Sequence, residues 1–271
     1  MNWVIGDIHG MLRPLRALVD LVRRDDPVAR FFFVGDYVNR GPDARGVLDF
    51  LLALDGARFA RGNHDDIFDL LVNGRNYVAN PSAPDAVAAF AWFVRYGLAD
   101  TLHSYGVEPW EVEQAAAHPT HDAVARLFAP VPAAHRAFVR NLEPVIETPD
   151  FFVAHALWDA DEPDADPPIA DRLAADGRLR YQIVWGRYGR EVLRPKRWTR
   201  TGYFGHTPVQ TYPADVRGGP DADDGVPIRG PNIVLLDTAA ALTPDGRRIA
   251  LGTIDGKISL FALPDPAAVP A

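Results

Sequence analysis

The chain has 271 residues, 28 Lys+Arg against 36 Asp+Glu for a net charge of -8, and no cysteine. That length can build one large α/β core, the acidic balance argues against nucleic-acid and anionic-membrane partners, and the missing thiols exclude disulfides and thiolate metal sites. No apolar run approaches the ~20 residues of a membrane span, and Met1-Asn2 leads into an apolar run without a charged leader, so a cytoplasmic protein is expected.

Trp3-Val4-Ile5 reads as a buried strand, followed by Gly6-Asp7-Ile8-His9-Gly10. Over 12–24, Leu12, Leu15, Leu18, Val19 and Val22 share one helical face, with Arg13, Arg16, Asp20 and Arg23 opposite. Phe31-Phe32-Phe33-Val34 is a second strand, closed by Gly35-Asp36-Tyr37-Val38-Asn39-Arg40-Gly41. A helix over 44–54 and a strand over 57–60 complete a strand–helix–strand pattern, which implies parallel pairing. Gly62-Asn63-His64-Asp65 then opens a mostly helical stretch, about 66–147, broken by Pro81, Pro84, Pro109, Pro119 and Pro130-Val131-Pro132. We read it as a helical lid inserted in a single domain spanning 1–271.

Farther on, the strand Phe151-Phe152-Val153 runs into Ala154-His155-Ala156, and Gly202-Tyr203-Phe204 runs into Gly205-His206-Thr207-Pro208. The segments 159–168 and 213–231, rich in Asp, Pro and Gly, read as loops. The tail is β-rich over 232–237, 248–254 and 257–263, the last two flanking Asp255-Gly256, a hairpin signal.

Five short segments thus stand at or near strand ends, where open α/β sheets gather ligand-binding loops. Their Asp, His and Asn side chains are the donor set suited to Mn, Zn or Fe. A single Gly-Asp or Gly-His pair commonly just builds a turn. Five such segments with compatible ligands leave little room for coincidence. Other candidates take the plainer reading. His118 and His121 are three apart, but Pro119 and the lack of a third ligand make them surface residues. Phe90, Trp92, Phe93 and Tyr96 read as lid core rather than a stacking platform, and Arg194, Lys196, Arg197 and Arg200 as a solvated face.

Taken together, these segments resemble the signature of calcineurin-like metallophosphoesterases, in particular bacterial phosphoprotein (serine/threonine) phosphatases. Val184-Trp185-Gly186-Arg187 and Leu236-Asp237-Thr238 extend the resemblance over nearly the whole chain. It implies a four-layer α/β/β/α sandwich of two mixed sheets and two divalent transition metals, Mn favoured, with Fe or Zn as alternatives. One metal would be held by Asp7, His9 and Asp36, and the second by Asp36, Asn63, His155 and His206, with Asp36 bridging. Arg40 and Arg187 would clamp the phosphate, and His64 would protonate the leaving group. The implied reaction is single-step, in-line hydrolysis of a phosphomonoester by a hydroxide held by the metals; the resemblance favours phosphoserine/phosphothreonine proteins as substrate, with a small phosphoester as the other partner.

Two positions depart from the family pattern. Asn39 stands where the family has an Asp paired with the catalytic histidine, and Asp65 where it has Glu. Asn39 can accept a hydrogen bond from His64 through its amide oxygen but cannot stabilise the imidazolium, so His64 should be less basic. Diadenosine tetraphosphate hydrolysis, which uses nearly the same metal constellation, is the alternative activity. A metal-binding scaffold that has lost catalysis is the alternative of another class; the retained His64, Arg40 and Arg187 argue against it.

Overall fold

The structure, a computed structural model, describes residues 1–158, 166, 168–219, 226–242, 250–253 and 258–260. The strands are β1 (Asn2–Ile5), β2 (Arg30–Phe33), β3 (Ala57–Phe59), β4 (Ile146–Glu147), β5 (Phe151–Val153), β6 (Thr201–Phe204), β7 (Ile228–Arg229), β8 (Ile233–Leu235), β9 (Ala250–Thr253) and β10 (Ile258–Leu260). They form two five-stranded mixed sheets, ordered β10-β9-β1-β2-β3 and β4-β5-β6-β8-β7. Within them β1, β2 and β3 run parallel, as do β5, β6 and β8, while β4, β7, β9 and β10 pair antiparallel.

Alternation along the strands explains why the sheets stack. Ile5, Phe31 and Phe33 point to one side of the first sheet, into a cluster with Leu15, Leu18, Val19 and Val22 of α1 (Leu12–Asp25) and Val47, Leu48 and Leu51 of α2 (Ala44–Leu52). Their neighbours Val4, Phe32 and Val34 point to the other side and meet Phe151, Val153, Tyr203, Val234 and Leu236 from the second sheet. Phe32 and Phe151 touch edge to face across this seam, with ring centroids 5.0 Å apart. The alternate residues of the second sheet, Phe152, Phe204, Ile233 and Leu235, face outward into a third cluster. Side chains of period two are thus buried on both faces of each sheet, each large one contributing about 1.5–3 kcal/mol. The layers run α/β/β/α, the sandwich implied by the resemblance.

The helical stretch begins slightly earlier than its sequence suggests. It comprises α3 (Asn63–Asn73), α4 (Ala86–Phe93), α5 (Leu98–Ser104), α6 (Pro109–Ala117), α7 (His121–Phe128) and α8 (Ala133–Arg140), and its last two residues, 146–147, belong to β4. Phe68, Phe90, Leu102, Val112, Phe128 and Val139 from these helices join the same cluster as α1 and α2. Most of the stretch is therefore the outer helical layer of the first sheet. The start of α3, Ser82, α4, a 3₁₀ turn at Val94–Tyr96, Gly97 and Thr101 of α5 reach the site described below.

Two helices escaped sequence reading: α9 (Ile169–Ala175) and α10 (Gly177–Trp185) cover the second sheet through Ile169, Leu173, Leu179, Ile183 and Val184. Ile169 and Leu173, and Leu179 and Ile183, stand four apart, a helical signal too short to stand out in a polar stretch. The expected loop over 213–231 is broken by α11 (Ala214–Arg217) and β7. The Asp255-Gly256 turn and residues 159–165 of the other expected loop lie outside the described residues; β9 and β10 pair with each other in the register Ile258↔Gly252.

Candidate metal centre

Every parallel strand ends at the same place. The chain leaves β1 into Gly6-Asp7, β2 into Gly35-Asp36, β3 toward Asn63, β5 into His155, β6 into His206 and β8 toward Asp237. Asp7, His9, Asp36, Asn63, His155 and His206 are all buried. Among the described residues, six non-glycine residues have positive φ, and five of them are His9, Asp36, Asn39, Arg40 and His206. Left-handed backbone at non-glycine residues is costly and collects where side chains must be aimed at a function.

Asp36 is central. Its Oδ2 lies 3.5 Å from His9 Nε2 and 3.4 Å from His155 Nε2, and its Oδ1 accepts the backbone N–H of His64, in the first turn of α3, at 3.0 Å. The Asp65 carboxylate fixes this loop by accepting the backbone N–H groups of Asp36, Tyr37 and Gly62 at 2.7, 2.9 and 3.0 Å. On the second-sheet side, Asn63 Oδ1 is 3.0 Å from His155 Nε2 and 2.8 Å from His206 Nδ1. Asp36, His155 and His206 form one compact donor group, and His9, Asp36 and His64 another, sharing Asp36. Asp7 stands slightly apart, its carboxylate accepting the His206 backbone N–H at 3.1 Å. Gly205 permits this approach, since a Cβ there would fall 1.9 Å from Asp7 Oδ1.

Residues 3–186 match the calcineurin-like phosphoesterase family. The chain belongs to that family. Members of this metallophosphoesterase family use divalent metal ions. The chain is 32% identical over 159 residues to the symmetrical bis(5'-nucleosyl)-tetraphosphatase of Coxiella burnetii, covering 52% of this chain and 53% of that one. It is 30% identical over 187 residues to the enzyme of the same name from Thioalkalivibrio sulfidiphilus, covering 66% and 64%. The matches thus span about half to two thirds of these relatives. A metallophosphoesterase from Sphaerobacter thermophilus shares the fold, with a TM-score of 0.51 at 17% identity over 98% of this chain and 89% of that one.

The donor set fits the metals this family uses. His9 and His155 each place Nδ1 against a backbone carbonyl, Val38 at 2.9 Å and Val34 at 3.0 Å, so Nδ1 carries the proton. Nε2 of each ring is turned toward Asp36, the atom a cation would take on displacing any proton held there, the arrangement of a metal-ligating histidine with an oriented outer partner. The electrostatics agree. Burial would lower the pKa of His155, but Asp36, Asp7 and Asp65 overcome it and lift the ring to about 9. Burial would raise the Asp36 carboxyl, yet His155, His64 and His9 hold it well below the usual range. A cluster that calls so strongly for positive charge is suited to cations.

Around this centre lie the groups expected to handle substrate. The Asn39 amide nitrogen is 2.8 Å from His64 Nδ1 and donates to it, while Asn39 Oδ1 accepts from the Thr101 hydroxyl at 3.0 Å. This reverses the expected arrangement, in which the amide oxygen would accept from the ring; Thr101, 62 residues away, sets the amide the other way round. Arg40 lays its guanidinium against His9 Nε2 and against His64 Nε2, the latter at 3.2 Å, and its backbone N–H donates to Gly97. Arg187 is exposed at the rim, donating to Thr207 Oγ1 at 3.0 Å and to the His206 carbonyl at 3.3 Å. Burial, with the charges of His9 and Arg40 added, outweighs Asp36 and holds His64 well below the ordinary histidine pKa.

Three features go beyond the sequence reading, which named Asp237 and Trp185 only within matching segments and took the α4 aromatics as core. Asp237 is buried beside Asp7, which its charge raises, and its Oδ2 has no hydrogen-bond partner. Trp185 and Tyr181 of α10 line the same cleft as Arg40 and His64. The aromatic stretch at α4 divides: Phe90 is core, as expected, Phe93 is buried yet lines the cleft, and Trp92 and Tyr96 face it. His118 and His121 are exposed, in keeping with the surface reading, while His135 is buried between the Tyr105 hydroxyl at 2.8 Å and Asp49 at 3.0 Å.

Proposed function

We propose that this metallophosphoesterase hydrolyses a phosphoanhydride, with a symmetrical dinucleoside tetraphosphate as substrate and two nucleoside diphosphates as products. The environment of His64 carries the choice. A ring that accepts at Nδ1 from an amide, lies beside a guanidinium and is buried is a poor holder of the extra proton a strong acid must bring. A serine or threonine alkoxide needs that proton to depart. A nucleoside diphosphate leaves as a stabilised anion and needs it far less. The relatives named as symmetrical bis(5'-nucleosyl)-tetraphosphatases support the same reading, and the phosphoprotein substrate favoured by the family signature takes second place.

Asp36, Asn63, His155 and His206 would hold one cation, and Asp36, Asp7 and His9 the other, with Asp36 shared. Bound there, divalent cations supply Lewis acidity for the phosphoryl oxygens and make a water acidic enough to attack at neutral pH. The rest falls to the chain. Arg40 turns from His9 and His64 to the phosphate, which Arg187 meets from the rim with a second planar guanidinium. His64, steadied by Asn39 at 2.8 Å and by the Phe93 ring at 5.1 Å, hydrogen-bonds the departing oxygen. Water adds to one phosphorus as the bridging P–O bond breaks, and the leaving diphosphate carries away the electron pair.

Parallel assays with Mn²⁺ decide the matter. Diadenosine tetraphosphate should be cleaved to ADP alone, with kcat/KM at least ~10-fold above that for a phosphoserine peptide, since each 1.36 kcal/mol of barrier is tenfold in rate. A faster phosphopeptide, or products AMP and ATP, would reject the reading. No turnover of either substrate by metal-loaded protein would favour the scaffold.

A further inference from the structure

Trp92, Trp185 and Tyr181 form a run of near-parallel rings over the cleft. Trp92 and Trp185 stack with centroids 5.6 Å apart and planes 16° apart, and Tyr181 continues the stack on Trp185 at 6.4 Å and 15°. Tyr96 meets Trp92 edge-on at 5.8 Å. Two of these rings are well exposed, Tyr181 at 39% and Tyr96 at 43%, in contrast to Phe90 and Phe93, which are at 0% and 1%. The rings come from both halves of the sandwich, α4 and its 3₁₀ turn on one side and α10 on the other. They line a cleft of about 300 Å³ together with Arg40, His64 and Arg187. Trp92 and Trp185 rest in part on the core beneath, while Tyr181 and Tyr96 stay open in the same cleft as Arg40 and Arg187.

We infer that an open end of the Trp92–Trp185–Tyr181 stack is the subsite for one nucleobase of the substrate, the base adding to the run on a ring face that the side chains do not give to one another. The inference rests on the nucleotide substrate proposed above and says how the nucleoside is held. A base on a short pentose–phosphate tether reaches such a wall when its phosphate is on the arginines. Every base has a π face, so stacking gives affinity with little sequence preference. Adenine and guanine nucleotides should therefore bind alike, and pyrimidines, with a smaller face, more weakly.

The test is calorimetric binding of AMP and of ribose 5-phosphate to the full chain loaded with Mn²⁺, which separates base from phosphate and requires no turnover. AMP should bind the unaltered protein roughly tenfold or more tightly than ribose 5-phosphate, the gain of one base stacked on an aromatic ring. In Tyr181→Ala and Trp92→Ala that ratio should fall toward one, and in Tyr181→Phe and Trp92→Phe most of it should return. Tyr181 is exposed enough for its alanine variant to keep the fold, so the result does not hang on Trp92 alone. A ratio near one in the unaltered protein, or one unchanged by both alanine variants, would overturn the subsite. A normal ratio in a protein that leaves diadenosine tetraphosphate intact would reject the proposed reaction and keep the subsite.

Discussion

The floor and the wall of the cleft are built on opposite principles. On the floor, each side chain is held by several partners at once: Asp36 touches two histidines and a helix N–H, and Asp65 gathers three backbone N–H groups behind it. On the wall, Trp92, Trp185, Tyr181 and Tyr96 meet one another through ring contacts, and two of the four are substantially exposed. Chemistry that depends on ligand placement to a fraction of an ångström needs the first kind of construction. Recognition of a flat group tolerates the second. Substitutions should therefore be severe on the floor and graded on the wall.

The largest effect should come from Asp36→Asn. It removes charge from the one carboxylate shared by both donor groups, so metal content should fall and kcat should drop by ~10³ or more, the scale of losing a preorganised electrostatic stabiliser. Asp7→Asn should cost less on both counts. Elemental analysis and rates on matched, folded proteins check the ranking, and the reverse order would remove Asp36 from the bridging position. Chelator treatment should abolish turnover and added Mn²⁺ restore it; activity indifferent to chelation would end the two-metal reading.

Next in size is Gly205→Ala. The new methyl would collide with Asp7 Oδ1, and neither the strand-end backbone nor the buried carboxylate has room to yield. A loss of ~2 kcal/mol in denaturant unfolding is expected, with weaker metal retention. Unchanged stability would show that the floor is more pliable than its hydrogen bonds suggest.

Asn39→Asp separates the roles of proton and metal. A carboxylate beside His64 favours the imidazolium and should raise the ring's pKa, countering the burial that holds it low. A histidine with a higher pKa keeps its proton to higher pH, so the alkaline limb of the rate profile should move upward for an alkyl phosphate. For diadenosine tetraphosphate, whose leaving group needs little help, the limb should scarcely move. Equal shifts on both substrates, with metals confirmed bound, would contradict the argument from His64 to substrate class. The smallest effect should be that of Tyr96→Ala on stability, ~1 kcal/mol or less for a half-exposed ring, read from unfolding curves. A much larger loss would mean that the wall holds the two halves together.

What could be read in the sequence, and what could not, follows the same division. The floor was legible in two ways: Asp7, Asp36, His155 and His206 directly follow apolar strand runs, while the full proposed ligand set, with His9 and Asn63, came from the resemblance to the family signature. The sandwich was legible in the same two ways. Thr101 was invisible, since nothing local in a helical stretch marks a hydroxyl that will set the Asn39 amide across 62 residues. The stacking of Trp92 on Trp185 was equally hidden: it joins α4 to α10 across both sheets, and no period in either helix encodes it. Helices α9 and α10 lacked the length to show a face, and tertiary packing on the second sheet defines them.

Holding five non-glycine residues of the floor in left-handed backbone also has a consequence for how the protein can change. Such conformations are tolerated because the surrounding contacts over-determine them, and each draws on the stability of the whole. Optimising the chain for heat resistance alone would therefore target these positions first, since glycine or a rebuilt turn would relieve the backbone while erasing a side chain of the proposed site. A thermostable descendant selected without an activity screen should drift toward a silent enzyme, and one selected with it should gain its stability elsewhere, in the outer helices and the seam between the sheets.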